Sequence, residues 1–139
     1  MLTARSIRPA VSVLLISLVA LAAIVCLPQT AFAATRVVTD DDKGGTVRLR
    51  LGDKLEARLK SNPSTGYMWY IEKESTPLLK LAHQTQTDIE EPGVGRPVFQ
   101  VFTFEPKHIG KGVLLMHYVR SWEKPTPDDE QFDIHVVIE

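Results

Sequence analysis

Three short stretches carry residue types suited to binding. The first is Asn62-Pro63-Ser64-Thr65-Gly66. Pro63 fixes its own φ and pushes Asn62 into extended geometry. The Ser64 and Thr65 hydroxyls can bond back to nearby backbone, and Gly66 allows positive φ where the chain turns into the next segment. Such a loop is stiff without a disulfide, and a stiff loop loses little entropy on docking. Taken alone, the same five residues also read as a well-made chain reversal. The second stretch is Arg120-Ser121-Trp122. Trp and Arg are enriched among the anchors of binding sites. An indole placed between Arg120, Ser121, Glu123 and Lys124 is either a lid on a sheet edge or an exposed anchor, and the pattern leaves both open. The third, Gly93-Val94-Gly95, is followed by Arg96 and lacks the further glycine and the helix of a phosphate loop.

Catalytic constellations are not evident. There is no HExxH, His83, His108, His117 and His135 are scattered singly, and no serine sits in G-x-S-x-G. Triads are defined in space rather than along the chain. The sequence therefore offers no positive case for an enzyme, and no catalytic residue, metal ligand or cofactor is expected. Asp40-Asp41-Asp42 and Asp128-Asp129-Glu130 read as solvated turns, with a calcium site a remote second.

The elements that must carry these stretches have a period of two. Val47, Leu49 and Leu51 alternate with Arg48 and Arg50; Leu55, Ala57 and Leu59 alternate with Glu56, Arg58 and Lys60. With the tight-turn pair Gly52-Asp53 between them, they predict a hairpin. Tyr67, Trp69 and Ile71 share one face of the next strand, opposite Met68, Tyr70 and Glu72. Further strands are expected at 78–82, 97–104, 113–119 and 131–139, the run from Val113 to Val119 being apolar enough for cover on both faces. Turn signals fall between them at Gly44-Gly45, Pro92-Gly93, Gly110-Lys111-Gly112 and Pro125-Thr126-Pro127. Seven or so strands with turns about every ten residues predict an all-β sandwich. Trp69 is expected in its core, and Tyr67 at the base of the 62–66 loop.

The first 33 of the 139 residues have a different character. Met1 to Pro9 carries Arg5 and Arg8 and no acid; Ala10 to Leu27 is apolar but for two serines; Ala31-Phe32-Ala33 places small residues where a signal peptidase reads. This predicts a signal peptide over 1–33, cleavage before Ala34 and a single exported domain over 34–139, periplasmic or secreted. An uncleaved anchor is the rival, because eighteen residues can just span about 30 Å of hydrocarbon. A lipoprotein reading fails at Val25, where a lipid-attachment site before Cys26 needs a small residue. The only cysteine, Cys26, lies in the leader, so the remaining 106 residues (139 less 33) hold together by packing alone. Losing Arg5 and Arg8 leaves 14 bases against 17 acids, a net charge near −3 that gives no attraction to nucleic acid. A monomer with no stable membrane association after cleavage is expected.

Asn62-Pro63-Ser64-Thr65-Gly66-Tyr67-Met68-Trp69 resembles the N-P-T-T-G-[FY]-x-W signature of the chagasin family of cysteine protease inhibitors. Gly93-Val94-Gly95-Arg96 falls where that family has G-x-G-G, and Arg120-Ser121-Trp122 where it has R-P-W. The order and spacing match over nearly all of residues 34–139. The resemblance implies an immunoglobulin-like sandwich of seven to eight strands. Its three loops, at one end, would form a wedge that enters the cleft of a papain-like cysteine protease. Asn62, Pro63, Ser64, Thr65 and Gly66 would lie at the catalytic cysteine, Gly93, Val94 and Gly95 on one side of the cleft, and Arg120, Ser121 and Trp122 on the other. The indole of Trp122 would then be an anchor. Arg96 replaces a glycine, Ser121 a proline and Ser64 a threonine; the first two bear on affinity and target range. The expected function is reversible, non-covalent inhibition by occlusion. The rival is an immunoglobulin-like adhesion or assembly module, and an esterase-like hydrolase is a more distant alternative.

Overall fold

The computed structural model describes residues 32–73, 77–88 and 98–139. The leader up to residue 31 and the Gly93-Val94-Gly95 stretch lie outside them. Eight strands follow one another: β1 (Thr35–Thr39), β2 (Thr46–Leu49), β3 (Lys54–Ser61), β4 (Tyr67–Ile71), β5 (Leu79–Asp88), β6 (Val98–Pro106), β7 (Gly110–Arg120) and β8 (Glu130–Ile138). They form two four-stranded sheets, ordered β1-β3-β6-β5 and β2-β8-β7-β4. This is an immunoglobulin-like β-sandwich.

The period-two pattern builds the core. In β3, Leu55, Ala57 and Leu59 are fully buried while Lys54, Arg58 and Lys60 face water. Phe102 and Phe104 of β6 meet Phe132, Ile134, Val136 and Ile138 of β8 across the sandwich. Each such side chain contributes roughly 1.5–3 kcal/mol when removed from water. Among the described residues the clustered core residues lie between Val38 and Ile138, and Ala33–Glu139 forms one compact unit. Trp69 is among them, as its period predicts.

Three expectations are corrected. Val47–Leu51 and Leu55–Leu59 do not form a hairpin: β2 pairs with β8, parallel, and β3 pairs with β1 and β6. The turn between them is tight, with Gly52 at φ 97° and the Asp53 amide donating to the Arg50 carbonyl at 3.0 Å. It nevertheless carries the chain from one sheet to the other. Alternation shows that one face of a strand is buried; it does not say which strand lies alongside. β1 was not anticipated, because it is five residues long and only Val38 is buried. β5 runs to Asp88 rather than Ala82. Its residues 81–87 are exposed, so they lack an apolar period, and the strand is held by its ladder to β6. A register shift between Leu81 and His83 marks a bulge on this edge strand, a usual device against edge-to-edge pairing. On β7 the predicted double cover is incomplete: Val119 and His117 are buried on its outer side, but Val113 is exposed.

Asp40–Asp42 forms a 3-10 turn capped by Thr39, whose amide donates to the Asp42 carboxylate at 2.8 Å. No cluster of three potential metal ligands exists among the described residues.

Candidate functional site

The 62–66 loop joins β3 of one sheet to β4 of the other. Pro63–Thr65 folds into a single 3-10 turn, with Pro63 at its start and Gly66 closing it in the left-handed region at φ 82°. The Asn62 carbonyl accepts both the Thr65 amide at 3.0 Å and the Thr65 hydroxyl at 2.6 Å. The Ser64 hydroxyl donates to the Asn62 side-chain oxygen at 2.5 Å, and the Gly66 amide donates to the Pro63 carbonyl at 3.0 Å. The loop is thus satisfied internally while Ser64 and Thr65 stay exposed at its tip.

Arg120 ends β7 and pairs directly with Tyr67 at the start of β4. Its guanidinium lies over the Tyr67 ring at 4.5 Å and near the Trp122 ring at 5.9 Å. It also forms an ion pair with Glu123 at 3.3 Å, and the Glu123 amide closes a turn onto the Arg120 carbonyl at 3.0 Å. Trp122 is 71% exposed. Its ring edge nevertheless rests on Gly66: a Cβ at that position would stand 2.8 Å from Cη2 of the indole. Gly66 therefore serves two needs, a positive φ and a bare Cα against which an indole lies. The alternative of a lid over the sandwich edge does not fit so exposed a ring.

Of the sequence-predicted residues, Asn62 to Gly66 and Arg120 to Trp122 come together at one end of the sandwich. β5 ends and β6 begins at that same end, since Asp88 pairs with Val98 and Val98 with Ser61. Gly93, Val94 and Gly95 belong to the connection between these strands, outside the described residues. Tyr67 sits at the loop's base as expected, its ring 5.4 Å from that of Tyr118.

Sequence reasoning missed the groups beneath the loops. The Tyr118 hydroxyl accepts the Asn62 amide at 2.8 Å, and its ring lies 5.0 Å from that of Trp69. The Trp69 indole N–H donates to the Lys60 carbonyl at 2.8 Å, and the Ser61 hydroxyl to the Tyr67 carbonyl at 3.4 Å. Gln100 is fully buried; it accepts the Trp69 amide at 2.9 Å and donates to the Trp69 carbonyl at 3.0 Å. One signal could have exposed Gln100. It occupies an inward position in the alternation Gln100, Phe102, Phe104, where a polar residue needs a partner.

An immunoglobulin-like sandwich with stiff, solvent-facing loops at one end is suited to binding, but the fold alone does not assign a role. The cysteine protease inhibitor EhICP2 from Entamoeba histolytica superposes with a TM-score of 0.67 at 27% identity, covering 78% of this chain and 98% of that one. Amebosin shares the fold, with a TM-score of 0.62 at 23% identity over 76% of this chain and 98% of its own. Chagasin of Trypanosoma cruzi is 30% identical over 105 residues, 71% of this chain and 94% of the relative. Amoebiasin-2 of Entamoeba histolytica is 30% identical over 100 residues, 70% and 80% respectively. The chagasin family of peptidase inhibitors, I42, matches residues 48–136, and the chain belongs to that family. Its members are inhibitors of proteases, not enzymes.

Proposed function

We propose that the chain is an exported, reversible and non-covalent inhibitor of papain-like cysteine proteases, acting by occlusion of the cleft. The observation that carries this reading is the joined tip: exposed Ser64 and Thr65 beside a largely exposed Trp122 that is seated on Gly66. Within the 62–66 loop the Ser64 and Thr65 hydroxyls are hydrogen-bonded to Asn62 before any partner arrives. Immobilising a free side chain on binding costs about 0.5–1.5 kcal/mol. The internal hydrogen bonds of Asn62, Ser64 and Thr65 reduce that cost. In this reading the 62–66 backbone covers the protease thiol, Trp122 and Arg120 lie along one wall of the cleft, and Gly93-Val94-Gly95 along the other. No cysteine remains after residue 26, so no covalent exchange with the protease thiol is available.

Titration of papain with purified residues 34–139 tests this reading. Activity should fall with inhibitor and recover on dilution. Failure at micromolar concentration against several papain-like enzymes would overturn it in favour of a module that binds another surface. Export rests on the leader, with the product periplasmic or secreted.

A further inference from the structure

We propose that Gln100 is a positioning residue of the inhibitor, a clamp between the two sheets that sets the place of β4, and with it the 62–66 loop and Trp122, relative to β6. This rests on the inhibitory reading above.

β4 is the edge strand of its sheet and has a strand partner, β7, on one side only. On its other side the Gln100 side-chain amide makes both hydrogen bonds that a neighbouring strand would make to Trp69, at 2.9 and 3.0 Å. Gln100 belongs to β6, in the opposite sheet. Its primary amide offers an acceptor and a donor together, matching one residue of a strand edge. Fully buried, both bonds act where an unmade bond is expensive.

The location gives the clamp its meaning. Of the two strand-joining connections at this end that would form the wedge's centre and one flank, 62–66 leads into β4 and 89–97 leads into β6. Trp69 stands three residues beyond Gly66, and Gln100 two residues beyond the start of β6. Two sheets packed through apolar side chains resist sliding weakly, because hydrophobic contacts are non-directional. A paired amide is directional. Trp69 Nε1 to Lys60 O and Asn62 N to Tyr118 Oη tie the sheets nearby, so the Gln100 pair is the inner member of a polar girdle beneath the site. Trp122 follows the same register, because Arg120 is paired with Tyr67. Loosening Trp69 would let the loop and the indole shift together against β6.

Three variants of residues 34–139 test this. Gln100→Leu keeps approximate volume and removes both bonds. It should raise the inhibition constant against papain about tenfold, equal to about 1.4 kcal/mol, mostly through faster dissociation. Amide hydrogen exchange at Trp69 and Asn62 should rise as well, a readout that needs no protease. Ile138→Ala, in the core at the opposite end of the sandwich, supplies a destabilised control and should stay within twofold of wild type. Gln100→Glu supplies a rescue. Protonated, the introduced carboxyl can both donate and accept; ionised, it presents lone pairs to the Trp69 carbonyl. Burial and that donor role raise its folded pKa. Its inhibition constant relative to wild type should therefore be near one at pH 4.5 and grow as pH rises through that value. The proposal is overturned if Gln100→Leu inhibits like wild type, if Ile138→Ala weakens inhibition equally, or if the Gln100→Glu ratio is flat with pH. A wild-type domain that does not inhibit would instead remove the functional reading, while the exchange experiment would still report on the clamp.

Discussion

Gly66→Ala tests whether the two visible loops act as one unit. Two effects follow from the structure. The residue stands at φ 82°, where an alanine side chain is strained by about 1–2 kcal/mol. The new Cβ would also sit 2.8 Å from Cη2 and 3.4 Å from Cζ3 of Trp122. Ordinary carbon contacts begin near 3.5 Å, so the ring must retreat by roughly 0.7 Å. Trp122 is mostly exposed and can retreat into water, so the clash adds little to the loss of stability. We expect a fall in melting temperature of roughly 5–10 °C, from the backbone strain alone. Binding responds differently, because the anchor is displaced. The inhibition constant should rise about tenfold, or 1.4 kcal/mol, but no more than about twofold when the same change is made on a Trp122→Ala background. Four inhibition constants against one papain-like protease complete the double-mutant cycle. Additive effects would refute the reasoning, since they would mean that Gly66 acts through its own backbone and not through the indole.

Trp69→Ala should destabilise the domain by about 3–5 kcal/mol in urea unfolding, because the ring is buried and its N–H bond to Lys60 is lost; a near-neutral result would remove Trp69 from the core. Asp53 has its pKa lowered, first by the Ala34 amide and then by the Arg50 amide. A depressed folded pKa contributes stability above the ordinary value of 3.8 that is lost as pH falls through the folded value. The melting-temperature gap between wild type and Asp53→Asn should therefore be widest above about pH 4 and close in stronger acid; a gap that stays constant down to pH 2 would count against it. Mass spectrometry of the exported protein should find Ala34 as the first residue, and an intact leader on a membrane-bound product would defeat the cleavage expectation.

Alternation made the sandwich legible, because burying one face of a strand forces every second residue to be apolar. It located β3, β4 and β8 to within a residue or two. It could not assign neighbours: β2 and β3 adjoin in sequence, yet they belong to different sheets, and a tight Gly52-Asp53 turn serves an arch as well as a hairpin. Strands with no buried face, β1 and most of β5, left no period to read. At the site, Pro63, Gly66, Arg120 and Trp122 announced themselves through backbone restriction and through an indole in polar company. The contact of Trp122 with Gly66 joins residues far apart in the chain, and nothing local encodes it. Gln100 and Tyr118 were hidden for a related reason. Their partners are backbone groups, which every residue possesses, so no pattern of side chains marks the pairing.

The order of strands in the second sheet governs when the domain can exist at all. β8 lies between β2 and β7, although it follows β2 only after five intervening strands. Thr46 pairs with His135, and Gly110 with Ile138. Until the nine residues of β8 are available, β2 lacks its ladder partner and Leu114 and Met116 lack the adjoining row of Phe132, Ile134 and Val136. Synthesis proceeds at about 5–20 residues per second, and closing so long a loop is opposed by chain entropy throughout. The growing chain therefore cannot complete its core early. Placing the closing strand so far along the chain from β2 delays completion of the core through topology alone.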